Sequence, residues 1–568
     1  MANYQFTGGT ICAPATIPGT GAISIIRVSG KEALAIADKV IDTKGVPIAE
    51  TEGYRLRYGT VFEADGSVLD NVIVSVFRAP HSYTGENSVE ISCHASRFIV
   101  NKILELLVNA GARIAAPGEF TRRAFVNGKM DLAQAEAVAD VIASQSAASH
   151  RVAMNQLKGG FSSELKVLRE KLLTMTSLLE LELDFSEEDV EFASRKELGQ
   201  LVDDSLTHIR RLTASFSRGN AIKNGVPVAI VGATNTGKST LLNALLGEER
   251  AIVSDIAGTT RDTIEETLNI DGILFRFIDT AGIRETDETI EKIGIDRTFK
   301  KLGEAAVVLG MTDLSRGKAA VLEDADFILS KVNEMGGVKN DAAVNDGTET
   351  GWAHPAETGV APIAGTDGTS LAETGGTPPA ETGGTPPAGT GGASRHGHGD
   401  GQERKVVILV NKCDVAGDFY RDDNGTGYGS GNDLGENMAE IGDNKNVNQD
   451  NNIVSLIENK YDNCKVIPIS AKTGKGLSTL TKTLGEIGSE ITGSTDETLV
   501  TNVRHYEALV RAASALDRVR AGLHIATLPP DLIAQDLRES LYHLGEIVGE
   551  ISTDETLGNI FRNFCVGK

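Results

Sequence analysis

Three things are scarce in this sequence: long apolar runs, paired cysteines and positive charge. No uninterrupted hydrophobic stretch approaches the roughly 20 residues of a membrane-spanning helix, although hydrophobic residues make up 40% of the chain. No membrane span is expected. The opening Met1-Ala2-Asn3-Tyr4-Gln5 lacks the basic stretch and apolar core of a secretory leader, and nothing Arg-rich and amphipathic follows, so the expected location is cytoplasmic. Five cysteines, Cys12, Cys93, Cys413, Cys464 and Cys565, are odd in number and widely scattered. That fits neither a disulfide framework nor paired metal-ligand spacing, and reduced thiols are expected. A formal charge of -24 opposes free binding to phosphate polymers, whose affinity for protein comes largely from Lys and Arg displacing counterions. An RNA substrate would then be held by a partner, or by a local basic face if the acidic residues gather in loops.

What is present is a chain too long, at 568 residues, for one core, and the length suggests about three or four domains. From about 4 to 130, β-rich runs such as Ala22 to Val28 and Val72 to Phe77 alternate with helical stretches near 31–41 and 97–110, which reads as an α+β domain. From Asp131 the pattern turns helical, with Leu132, Ala135, Val138, Ala139 and Ile142 on one stripe and Leu165, Leu168, Leu172 and Leu179 on the next. The helical period returns in 504–522, 530–549 and 554–562, the last opened by the capping-box spacing Ser552-x-x-Glu555. The two helical blocks, 131–225 and 486–568, are expected to form one domain, making 226–485 an insertion. Within it, a Gly/Thr/Pro-rich tract near 335–405 and an Asp/Asn/Gly-rich tract near 416–452 cannot bury enough apolar surface to offset chain entropy and read as disordered.

The insertion carries the chemistry. The strand-like Val228-Ala229-Ile230-Val231 runs into Gly232-Ala233-Thr234-Asn235-Thr236-Gly237-Lys238-Ser239-Thr240 and then into the helical Leu241 to Leu246. That strand, loop and helix order is the setting of a phosphate-cradling P-loop, in which glycines let backbone N–H groups converge on phosphates and the helix dipole adds positive potential. Lys238 should reach the β- and γ-phosphates and Ser239 a magnesium ion. Asn411-Lys412-Cys413-Asp414 follows the apolar Val406 to Val410, and the Asp414 carboxylate can accept two hydrogen bonds from guanine, a donor pair adenine lacks. Ser470-Ala471-Lys472 supplies a further backbone contact to the base. Asp279-Thr280-Ala281-Gly282 ends a strand and reads as the second nucleotide switch; Gly258-Thr259-Thr260-Arg261-Asp262 reads as the first, with Thr260 completing the magnesium shell. The hairpin turn Asp271-Gly272 lies between them. Gly282 is followed by Ile283, so the glutamine that orients water in many GTPases has no counterpart. On the residues alone, Asn235 is either a ligand for a monovalent cation near the β,γ-bridge or an ordinary polar loop residue.

These motifs, with Ala116-Pro117-Gly118-Glu119-Phe120-Thr121-Arg122-Arg123-Ala124-Phe125, Asp131 to Ala137 and the terminal Phe564-Cys565-Val566-Gly567-Lys568, resemble the tRNA modification GTPase family known as MnmE or TrmE. The resemblance covers nearly the whole chain apart from the two polar insertions, which lengthen a GTPase domain that is usually compact. It implies a multi-domain protein: an α+β folate-binding and dimerising N-terminal domain over 1–130, an α-helical domain, and an inserted α/β P-loop GTPase domain. It also implies a homodimer in which GTP hydrolysis, with a flavin-binding partner called MnmG or GidA, serves modification of C5 of the wobble uridine of certain tRNAs. A carboxymethylaminomethyl or aminomethyl group is added there, with a 5-formyl- or 5,10-methylene-tetrahydrofolate as one-carbon donor.

Carried over by motif, the resemblance places folate on Arg27, Glu90, Lys129 and Lys568, charges that taken singly read as solvated. Nucleotide falls on Asn235, Thr236, Gly237, Lys238, Ser239, Thr240, on Ser254, Asp255, Ile256, Ala257, Gly258, Thr259, Thr260, on Asp279, Thr280, Ala281, Gly282, and on Asn411, Lys412, Asp414, Ser470, Ala471 and Lys472. Magnesium is expected at Ser239 and Thr260. Potassium, as activator, is expected at Asn235, Ser254, Ile256 and Thr259. The resemblance makes Glu291 the catalytic residue that orients water, where spacing alone shows one more acid in a charged run. Cys565 matches the family's terminal cysteine, for which the readings are a catalytic nucleophile and, as the expected role, a small buried residue near the folate. Two other readings compete. One is a ribosome-assembly GTPase without one-carbon chemistry, against which stands the lack of a basic RNA-binding domain after the GTPase motifs. The other is a scaffolding GTPase, for which only the insertions speak.

Overall fold

The computed structural model describes residues 8–184, 195–249, 266–278, 305–334, 404–415, 453–461, 464–493, 497–525, 529–551, 554–562, 564 and 567. Expectations for 335–403 and 416–452 lie outside these residues. So does Ser552, the expected cap of the last helix.

The N-terminal part runs β1 (Ile11–Pro14), β2 (Gly21–Ser29), α1 (Ala33–Val40), β3 (Ile41–Asp42), β4 (Arg55–Phe62), β5 (Val68–Phe77), β6 (Ser88–Ala95), α2 (Arg97–Asn109), β7 (Arg113–Ile114) and α3 (Glu119–Val126). Its strands form a seven-stranded sheet, β3-β4-β5-β6-β2-β1-β7, antiparallel except for β1 beside β7. Alternation in β5 turns Val72, Val74 and Val76 into a core completed by Ile36, Ile103 and Leu107 of α1 and α2. The opposite face presents Ile23, Leu56, Tyr58 and Ile73, all exposed.

A first helical block follows: α4 (Leu132–Ala143), α5 (Ala147–Leu157), α6 (Gly160–Asp184), α7 (Arg195–Ala214) and α8 (Phe216–Asn224). A capping box opens α4, Asp131 accepting from the Gln134 amide while Gln134 accepts from the Asp131 amide. The stripe expected on α4 is corrected: Ile142 is 48% exposed, while Ala133, Glu136 and Ala137 turn inward. The cause is that Glu136 is matched by Arg504 and His505 from far along the chain.

Then come β8 (Val226–Gly232), α9 (Lys238–Glu249), β9 (Glu266–Ile270), β10 (Ile273–Ile278), β11 (Val307–Asp313), α10 (Lys318–Glu334), β12 (Lys405–Asn411), α11 (Ile453–Lys460), β13 (Cys464–Pro468) and α12 (Leu477–Thr492). The sheet β13-β12-β11-β8-β10-β9 is parallel except for β9. Its strands are near-continuous apolar runs because both faces are covered. Two expected boundaries shift. Lys405 pairs with Val307 at the start of β12, so it belongs to the sheet. The domain edge drawn at 485 falls inside α12, which buries Leu477, Leu480 and Leu484 against this sheet.

The chain ends with α13 (Val503–Leu523), α14 (Pro530–Val548) and α15 (Asp554–Arg562). Leu509, Leu516, Val519, Leu537, Leu541 and Leu544 share one core with Leu165, Leu172, Val202 and Leu206 of the first block. Among the described residues, no helix is long and apolar enough to cross a membrane.

Candidate nucleotide site and N-terminal cleft

β8 ends where the strand order reverses, with β10 on one side and β11 on the other, and such a switch point opens a crevice at the carboxyl ends of the strands. The loop crossing it is pinched. A Cβ on Gly232 would strike the Met311 carbonyl, and one on Gly237, at φ +99, would strike the Asn411 side-chain amide. Thr236 is fully buried, its hydroxyl donating to the Ala233 carbonyl at 2.9 Å. Asn235 is exposed at φ +61, a conformation asparagine adopts at small cost. Ser239 and Thr240 sit in the first turn of α9, half-buried and exposed respectively. The Lys238 ammonium folds over the loop, donating to the carbonyls of Gly232 at 3.0 Å and Ala233 at 2.8 Å. Burial pushes its pKa down. A polyphosphate bound at the loop would favour the charged form and oppose that shift. Small pinched glycines, a helix N-terminus and a poised ammonium suit an anionic phosphate chain.

Asn411, at the end of β12, fastens this loop to the next. Its Nδ2 donates to the Thr236 carbonyl at 2.7 Å and its Oδ1 accepts from the Ala471 amide at 3.0 Å. Asp414 follows in an exposed turn, and Lys472 is exposed. Ser470 is buried, its amide donating to the Lys475 carbonyl at 2.9 Å and its hydroxyl accepting from the Thr473 amide at 3.3 Å. Lys412, at φ +65, donates to Asp313 at 2.6 Å. Burial works against ionisation of Asp313, but Lys412 and Ser315 outweigh it and lower its pKa. Burial pushes the Cys413 thiol up to about 11, so this cysteine is an inert wall of the loop.

The N-terminal sheet brings two of the expected folate residues together. Arg27 on β2 lies opposite Glu90 on β6, in register and paired through Nη2 at 2.8 Å and Nε at 2.9 Å. The Arg27 guanidinium stands 5.1 Å from the Tyr83 ring centroid and 5.7 Å from that of Phe120. Its Nη1 reaches the Gly567 carbonyl at 3.5 Å. Gly567 packs so closely on the Pro14 carbonyl that a Cβ would not fit. The chain end is thereby seated beside Arg27. Lys129 is not placed against Arg27; it donates to the Pro80 carbonyl at 3.1 Å, on the connection that carries Tyr83. Arg123, 2% exposed, donates to Glu86 at 2.9 Å, Glu119 at 3.0 Å and the Gly9 carbonyl at 2.7 Å, a buried network beneath this part of the sheet.

The profile of the TrmE N-terminus, a GTP-binding protein, matches residues 10–129, and that of the MnmE helical domain matches 132–565. A tRNA modification GTPase MnmE of Parabacteroides distasonis is 43% identical over 98% of this chain and 100% of its own. The chain belongs to the MnmE tRNA modification GTPase family. MnmE proteins of Bacteroides thetaiotaomicron, 42% identical over 98% of this chain and 99% of theirs, and of Porphyromonas gingivalis, 41% identical over 100% and 99%, match in the same way. A solved GTP-binding protein of Sulfolobus solfataricus reaches a TM-score of only 0.23, at 15% identity over 58% of this chain and 67% of that one.

For this MnmE-family chain, Ser254 to Thr260, Asp279 to Gly282, Glu291, Cys565 and Lys568 lie outside the described residues. Reading by motif missed Tyr83 and Phe120 as the aromatic walls around Arg27, and missed Asp313 as the anchor of Lys412. The i, i+4 spacing of Glu119 and Arg123 was the available signal for the buried network. Nothing local pointed to Tyr83.

Proposed function

We propose that this GTPase spends GTP to drive one-carbon modification of C5 of the wobble uridine of certain tRNAs, with a tetrahydrofolate donor bound in the N-terminal cleft. The observation that carries the reading is the seating of the chain end at Gly567 beside Arg27, Tyr83 and Phe120. A cation between aromatic rings, next to a carboxylate, suits a flat heteroaromatic ring with polar edges. Lys129 and Lys568 supply positive charge for an anionic tail. Phosphates lie along the amides of 235–240 with Lys238 against them, Ser239 and Thr260 hold magnesium, and Asp414 reads guanine. Magnesium, when bound, neutralises charge developing on the phosphates. Asn235, Ser254, Ile256 and Thr259 take potassium, and Glu291 orients the attacking water.

The exposed Leu56, Tyr58 and Ile73, with Tyr58 paired in register to Ile73, give the N-terminal sheet an apolar face suited to a second copy of the chain. With a net charge of -24, tRNA is held through the complex with the flavin-binding MnmG (GidA) partner. The site of action is the cytoplasm.

The test is whether the purified chain retains a tetrahydrofolate. Retention by wild type, with binding weakened about tenfold or more in Arg27→Ala, is expected, since a hydrogen bond to a charged group is worth about 1.5–3 kcal/mol. A chain that hydrolyses GTP but binds no folate would instead be a ribosome-assembly type of switch. GTP turnover is expected to fall when sodium replaces potassium, and an unchanged rate removes Asn235 from the cation site.

A further inference from the structure

The β9–β10 hairpin joins the two switch motifs in sequence: β9 opens shortly after Thr260, and Asp279 follows the last residue of β10 directly. Its two faces are held very differently. Leu268, Ile270, Ile273 and Phe275 face the core shared with α12. There the packing is close, with a Cβ on Gly488 placed 2.6 Å from the Phe275 ring and one on Gly485 placed 2.6 Å from the Asp271 carboxylate. The hairpin and α12 are therefore one packed body.

Asn269, Thr267 and Leu274 occupy the other face, Asn269 and Leu274 being cross-strand partners. That face meets the connection between α4 and α5. The Asn269 carboxamide bonds in two directions: its Oδ1 accepts from the Gly272 amide at 3.1 Å, closing the turn, and its Nδ2 donates to the Gln145 carbonyl at 3.0 Å. Beside this contact is a cavity of about 240 Å³, lined by Gln145, Ser149 and Val152 of the helical block, Lys223 of α8, and Thr267 and Leu274 of the hairpin. Lys223 is anchored to Asp140 of α4 at 2.8 Å. The cavity leaves space between the hairpin and the α4–α5 connection, while Leu274 and Arg276 pack closely on Gly225 after α8, and the polar contact to Gln145 is of the kind that water replaces at small net cost.

We propose that Asn269 is a positioning residue through which the hairpin reports nucleotide state to the helical block, by making or releasing the bond to Gln145. This rests on the GTP-driven reading above and names the contact that carries the signal. The bond partner is a backbone carbonyl of the helical block, so a displacement of the hairpin pulls on the connection between α4 and α5. α4 in turn leads back to the N-terminal cleft, since Leu132 and Ala135 pack with Leu557 and Phe561 of α15, and Phe561 lies against Gly118 beside the cleft. The two ends of the molecule are thereby linked through contiguous packed elements.

The test uses the full chain with fluorophores on exposed Lys166 of α6 and Ser330 of α10, and reads energy transfer with magnesium and GDP, then with magnesium and a non-hydrolysable GTP analogue. Asn269→Asp keeps the acceptor for Gly272 but loses the donor to Gln145, so it removes this one bond while leaving the turn closed and the packing of Ala221 of α8 on the hairpin core in place. Wild type should show a nucleotide-dependent change in transfer, and Asn269→Asp should lose most of it while hydrolysing GTP within about twofold of wild type. A variant that keeps the full change overturns the proposal. So does one whose hydrolysis falls well beyond that range, because Asn269 would then act on the nucleotide site itself. A wild-type chain that shows no GTP hydrolysis sinks the function proposed above and this inference with it.

Discussion

Glu136 illustrates what single residues contribute here. It is buried in the helical core and accepts hydrogen bonds from Arg504 Nε and Nη2, each at 2.9 Å, and pairs with His505 Nε2 at 2.7 Å. Arg504 also donates to the Glu546 and Ile547 carbonyls at the end of α14, so one guanidinium ties three helices. Burial alone would raise the Glu136 pKa, but His505 and Arg504 outweigh it and bring it from an ordinary 4.5 to about 2. A lowered carboxylate pKa stabilises the fold above its unfolded value and loses that contribution as protons bind. The contribution is thus complete above about pH 4.5 and fades as the pH falls towards about 2. Glu136→Ala, which strands Arg504, should cost about 3–5 kcal/mol, measured by denaturant unfolding. It should also flatten the acid limb of stability, and an unaltered limb would contradict the assignment. No local pattern reveals this cluster, because its members lie at opposite ends of the chain and a lone Glu in an apolar stripe reads as solvent-facing. The P-loop was legible for the opposite reason: its residues are contiguous in the sequence, although the contacts that demand glycine at 232 and 237 come from Met311 and Asn411 on neighbouring strands.

At the scale of elements, the helices and strands of both ends follow from periodicity, and the limits of α13 and α14 lie within two residues of those read from the sequence. The turn at Asp271-Gly272 was legible too, and φ values of +52 and +82 fit the paired left-handed residues of a tight hairpin. The edge of the nucleotide-binding sheet was not. α12 continues past 485 because Ile487 and Ile491 keep packing on the same core, and an amphipathic helix gives no sign of which neighbour its stripe will meet. The glycines of α12 have a reason visible only in three dimensions. Gly488→Ala places a methyl against the fully buried Phe275 ring and should lower stability by about 1–3 kcal/mol through overpacking, read as a drop in Tm. No drop would mean that the hairpin is held less tightly to α12 than the coupling argument requires.

For the whole molecule, the helical core closes only when the chain returns after the nucleotide-binding sheet, so residues around 165 and 541 stabilise each other across the inserted part. The chain end returns further still, to the N-terminal sheet at Arg27. Family membership, shown by matches along nearly the full length, agrees with the motif reading, whereas the aromatic walls of the cleft and the clamp at Asn269 emerge only from the fold. All of it depends on the loop between β8 and α9 holding a guanine nucleotide. The most direct measurement is equilibrium binding of labelled GTP to the full chain with magnesium, wild type beside Lys238→Ala. Saturable binding by wild type, weakened about tenfold to a hundredfold by loss of the ammonium, is the predicted result. Equal binding by the two proteins, or none by wild type, would contradict it.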